Sequence, residues 1–208
     1  MLINEVITKT SSFPYNIKML SFFEPSNFDC LSFNLLSEEK RERLDMIVED
    51  FMVPQYRRGL KEAINKYENS GLPLKYIKNS DFYIIAMGSI NGIFDGYDIW
   101  INANSISSID LDSSFVVGHE VGHKILYIQE KNNPNNYNSF LDEIESLTGI
   151  SKNAYHYYEN GRRFHFLKEF ICDEIGSLVA GNNNDYIFNF EEDLRNRVRR
   201  KIMSISHK

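Results

Sequence analysis

The string His119-Glu120-Val121-Gly122-His123 restricts this chain more than any other stretch of it. On a helix, residues four apart share a face one turn apart, so His119 and His123 can reach the same point in space. Neutral imidazole is a good zinc ligand, and two such ligands on one rigid helix are pre-spaced for a single ion. Glu120 projects from the next position round, where it can approach a water beside the ion and take its proton. With 5 His among 208 residues, the pattern arises by chance in about one sequence in a hundred of this composition. Phe115, Val116, Val117, Val121, Ile125 and Leu126 make the helix largely apolar, and two imidazoles buried there need a partner. Gly118 and Gly122 are poor helix formers. Two of them in one helix imply close approach of another backbone or of a substrate.

A hydrolytic zinc site needs a third protein donor and one open position for water. A histidine six residues past His123 is excluded, because Gln129 stands there. The remaining downstream histidines are His156, His165 and His207. Among the later glutamates, only Glu169 is followed four residues on by an aspartate, Asp173, which puts both carboxylates on one helical face. If the third donor is a glutamate rather than a downstream histidine, Glu169 would bind the ion, and Asp173 would accept the outer ring N–H of a metal-bound histidine and fix its tautomer. Glu143 and Glu145 lack the aspartate. Glu174, one helical turn and more beyond Glu169, would point roughly 140° away from it.

The rest of the chain reads as α+β. Residues 1–36 are broken by FPY and FFEPS and read as irregular, with room for one short strand or helix. Ser37 can cap a helix that runs to Gly71, divided or kinked at Pro54. Residues 74–77 and 81–88 have strand composition. Residues 93–102 read as a hairpin turning at Asp95-Gly96. Asp112, Ser113 or Ser114 can cap the HEVGH helix, 112–130. Residues 132–138 read as a loop, 139–149 as a short helix, 162–181 as a long one closed by Gly181, and 189–205 as an amphipathic tail helix. The division expected is a helical part over 1–72, the sheet and HEVGH helix over 73–130, and a helical part with the third ligand over 131–208, all in one domain.

Composition narrows the function classes. A formal charge of −6 argues against a dedicated nucleic-acid binder. The basic residues Arg195, Arg197, Arg199, Arg200 and Lys201 follow acidic Glu191, Glu192 and Asp193 on one helix, which suits its dipole and reads as a solvated face. Two cysteines cannot build a disulfide framework or a Cys-rich zinc site. No apolar run approaches the roughly 20 residues that span a bilayer, and the first residues lack the features of a secretory signal. A cytoplasmic setting without membrane partners is expected.

HEVGH and, after 45 residues, Glu169 of EFICD resemble the gluzincin zinc metallopeptidases. Within them, the order of strand-rich segment, hairpin, HExGH helix and Glu-bearing helix is most similar to the small soluble ImmA/IrrE-type peptidases, over about residues 80–181. The resemblance implies a zincin-like fold, one Zn²⁺ per chain on His119, His123 and Glu169, and Asp173 behind a zinc-bound histidine. It also implies Glu120 as general base, and a protein or peptide substrate held along an edge strand. Tyr97, Asp98, Ile99, Trp100, Ile101 and Asn102 form the expected edge strand. Tyr97, Ile99 and Ile101 would face the active-site helix, with Asp98, Trp100 and Asn102 on the other face. Tyr155, His156, Tyr157, Tyr158 and His165, together with Arg162 and Arg163, are the candidates to stabilise an oxyanion. Two other classes fit the same ligands: a non-catalytic zinc-stabilised binding or regulatory protein, and a zinc hydrolase of a non-peptide amide.

Overall fold

The computed structural model describes residues 5–7, 17–20, 53–78, 82–85, 91–107, 112–157, 163–181 and 190–207. The expected helix start at Ser37, and Tyr158 and Arg162, lie outside them. The fold is α+β. Strands β1 (Glu5–Ile7), β2 (Ile17–Leu20), β3 (Phe82–Ile85), β4 (Gly92–Phe94) and β5 (Ile99–Asn102) form one sheet in the order β1-β2-β3-β5-β4. β2, β3 and β5 run parallel, and the two outer strands are antiparallel to their neighbours. The segment before residue 36 thus contributes two strands to the sheet.

Alternation sorts the sheet's two faces. Phe82, Ile84, Ile99 and Ile101 are buried in the core. Tyr83 and Trp100, opposite one another on β3 and β5, stack on the other face with centroids 4.3 Å apart. The hairpin turns one residue later than the expected Asp95-Gly96: Asp95 N–H donates to Asp98 C=O, so Gly96 and Tyr97 are the central pair, with Gly96 at φ 102°. Asp95 Oδ1 accepts the Tyr97 and Asp98 N–H groups, and its Oδ2 accepts Trp100 Nε1–H.

The expectation of an open edge along Tyr97–Asn102 is corrected here. β5 is paired on both sides, with β3 and with β4. Tyr97 and Asp98 belong to the turn before it, and Tyr97 is exposed. Among the described residues no strand pairs with the outer side of β4, which is the edge of this part of the sheet.

Seven helices complete the described chain: α1 (Val53–Asn69), α2 (Lys75–Lys78), α3 (Ala103–Ser107), α4 (Ser113–Asn132), α5 (Pro134–Thr148), α6 (Phe166–Ala180) and α7 (Glu192–Ser206). α1 buries Tyr56, Leu60, Ala63, Ile64 and Tyr67, the three- and four-residue spacing of one helical stripe. α4 is central, packed by α1, α5, α6 and β4. Asp112 caps it, accepting the Ser114 N–H at 2.8 Å. Val198, Ile202 and Ile205 form the buried stripe of α7, as the pattern predicts. No helix among the described residues is long and apolar enough to cross a membrane.

Three local expectations change. Residues 75–78 form a helical turn rather than a strand, so that neighbours Tyr76 and Ile77 both point inward; Tyr76 Oη donates to Ser206 C=O at 2.9 Å. The loop expected over 132–138 shrinks to Asn133, because Pro134 opens α5, where a missing N–H costs nothing. The long helix over 162–181 begins only at Phe166. Arg163–His165 is strand β7, antiparallel to β6 (Tyr155–Tyr157).

Candidate metal centre

α4 carries His119, Glu120 and His123, and α6 carries Glu169 and Asp173; the two helices meet along small residues. A Cβ added at Gly118 would lie 2.8 Å from Gly176 Cα, and one at Gly122 would lie 3.0 Å from Cys172 Cα. A Cβ at Gly176 would meet the Phe115 carbonyl oxygen at 2.8 Å. The close backbone approach that Gly118 and Gly122 implied is therefore made by α6. Gly118→Ala should destabilise the fold by about 1–3 kcal/mol, the usual cost of forcing atoms into a packed contact. The same change at an unhindered helix position gains about 1 kcal/mol. Denaturant unfolding decides between the two by sign alone.

This contact sets the donors. His119 Nε2, His123 Nε2 and Glu169 Oε2 form a triangle with edges of 3.1, 3.2 and 3.5 Å. Zinc–ligand bonds of about 2.0–2.1 Å at tetrahedral angles separate neighbouring donors by roughly 3.3 Å. The three donors present thus fit three corners of a tetrahedral ion. Among the described residues, this is the cluster of three donors able to share one ion. Asp173 Oδ1 lies 2.8 Å from His119 Nδ1. An Nδ1–H donated to Asp173 leaves the Nε2 lone pair aimed into the triangle.

The electrostatics point the same way. Burial works against charge on His119, yet hydrogen bonds to Asp173 and Glu169 hold its pKa up to about 10. Burial likewise opposes ionisation of Glu169, but hydrogen bonds from His119 and His123 keep its carboxyl well below the usual range. Those hydrogen bonds put protons on the two Nε2 atoms, and a bound cation would take their place at the point where the two imidazole nitrogens and the carboxylate oxygen converge.

Glu120 lies beside this triangle, only 5% exposed. Burial raises its pKa, the two imidazoles lower it, and the Phe94 backbone N–H donates to its carboxylate. This contact with β4 was not foreseen in the sequence, although the hairpin pattern already named β4 as the partner of β5.

The other candidates separate from the centre. Glu174 faces the opposite side of α6, held by Arg195 Nε and Arg199 Nε at 2.7 Å each. Arg195 is 4% exposed, so the reading of these arginines as a solvated face is corrected at this residue. His165 caps α6, its Nδ1 accepting the Lys168 N–H at 3.4 Å, and its ring packs edge-on against Tyr155. His207 Nε2 lies 3.1 Å from the Gly71 carbonyl oxygen. His156, Tyr157 and Arg163 lie on the β6–β7 hairpin, which leads directly into α6. No protein-family model, curated protein or solved structure matches the chain.

Proposed function

We propose that this chain is a zinc-dependent endopeptidase with a zincin-like site, in which His119, His123 and Glu169 hold one Zn²⁺. The observation that carries the reading is the donor triangle beside a buried carboxylate that is not one of its corners. A purely structural zinc site is closed by a fourth protein ligand; here the described residues supply three donors, and the carboxylate beside them, Glu120, is placed to act on a water that a bound ion would hold. Bound there, the ion supplies Lewis-acid polarisation of a carbonyl and a lowered pKa for water.

The chain's own residues do the rest. Glu120 takes a proton from the attacking water and passes it to the leaving amine. Asp173 holds the His119 ring in the tautomer that offers Nε2. β5, whose edges are both paired, offers no edge to an extended substrate.

The test is an unbiased search for new peptide termini in cell lysate incubated with the protein. New internal termini that vanish with a zinc chelator and return with added Zn²⁺ are expected. A fully metal-loaded protein that releases no termini but hydrolyses small amides would move the function to a non-peptide amide hydrolase.

A further inference from the structure

One position on β4 has its size limited by Glu120. A Cβ at Gly92 would lie 2.7 Å from Glu120 Cγ and 2.8 Å from its Oε1. Carbon atoms in favourable contact sit about 3.5–4.0 Å apart. The backbone itself makes no such demand, because Gly92 is not among the positive-φ glycines. Two residues on, the Phe94 N–H is the group that donates to Glu120.

The hairpin register accounts for both contacts. Asn91 C=O accepts the Asn102 N–H, and Asp95 N–H donates to Asp98 C=O. Alternation along an antiparallel pair then directs the N–H and C=O groups of Gly92 and Phe94, opposite Ile101 and Ile99, away from β5. Glu120 therefore sits against the outer edge of β4. It is anchored by one backbone donor and accommodated by one missing side chain.

We infer that Gly92 is a positioning residue for Glu120: the space above its Cα seats the carboxylate between the Phe94 N–H and the donor triangle, and any side chain there unseats it. This rests on Glu120 being the base of the proposed reaction, so the test carries a readout independent of catalysis. Gly92→Ala, Glu120→Ala and the double variant are compared by thermal midpoint, bound zinc and, for Gly92→Ala, kcat and KM on a cleaved peptide. Gly92→Ala alone should lower Tm by roughly 2–10 °C. In the Glu120→Ala background the same substitution should leave Tm unchanged or raise it, because the clashing atoms are gone. If Gly92→Ala does not fold, recovery of folding in the double variant supports the inference equally, and failure to recover overturns it.

With zinc retained, Gly92→Ala should lose roughly 10²-fold in kcat, the scale of a 1 Å misplacement of a reacting group, with KM little changed. Equal Tm losses in both backgrounds would overturn the inference, since Gly92 would then serve some other neighbour. Loss of zinc from Gly92→Ala would also overturn it, by placing the clash on the ligands. A cycle that behaves as expected in a protein that binds no zinc would instead remove the peptidase reading and leave the Gly92–Glu120 contact standing.

Discussion

Glu120→Gln should keep the fold and the metal while losing about 10²–10⁴-fold in turnover, the range that positioned general bases contribute. Glutamine has the same shape, and its amide oxygen can still accept the Phe94 N–H that fixes the side chain. What it cannot do is take a proton from water. The loss should therefore fall on kcat, with zinc content and thermal midpoint close to those of the wild type. Full turnover in a metal-loaded Glu120→Gln protein would place the base elsewhere and leave the buried carboxylate beside the triangle without a catalytic role.

Glu174→Ala should cost about 3–5 kcal/mol, because it leaves Arg195 buried and unmatched by its carboxylate. At this chain length that is a drop in Tm of roughly 6–20 °C. Glu169→Ala should behave differently: its main loss is the metal, since Glu169 is the corner of the triangle contributed by α6. Thermal melts and zinc titrations of the two variants separate structural from ligating carboxylate. A Glu174→Ala protein that melts normally but cannot bind zinc, beside a Glu169→Ala protein that binds it, would put the ligand on the other face of α6.

These two glutamates show what local sequence can and cannot reveal. That Glu169 and Asp173 share one face of α6 was legible from helical spacing, while their choice among the later carboxylates came from the resemblance to the gluzincin pattern. The role of Glu174 was not legible, because its partners Arg195 and Arg199 lie on another helix and only tertiary packing brings them together. Gly118 and Gly122 were legible as a close approach, since glycine inside a helix costs stability without such a reason; that α6 makes the approach required the fold. The hairpin around Gly96 was a local signal. Which of its strands forms the edge was not, since that depends on β3 pairing in parallel with β5 across a connection that carries no register information. The strand expected over 74–77 fails for a related reason: a short apolar run fits strand or helix, and the burial of both Tyr76 and Ile77 in the turn Lys75–Lys78 decides it.

The account depends most on the triangle of His119, His123 and Glu169 holding one ion. Elemental analysis of the purified protein, dialysed against a known free-zinc concentration, measures this directly. It should find about one zinc per chain in the wild type and far less in His119→Ala, His123→Ala and Glu169→Ala at the same free zinc. A folded wild-type protein that takes up no zinc under these conditions, and no other divalent ion offered in its place, would contradict the metal centre and the peptidase reading built on it.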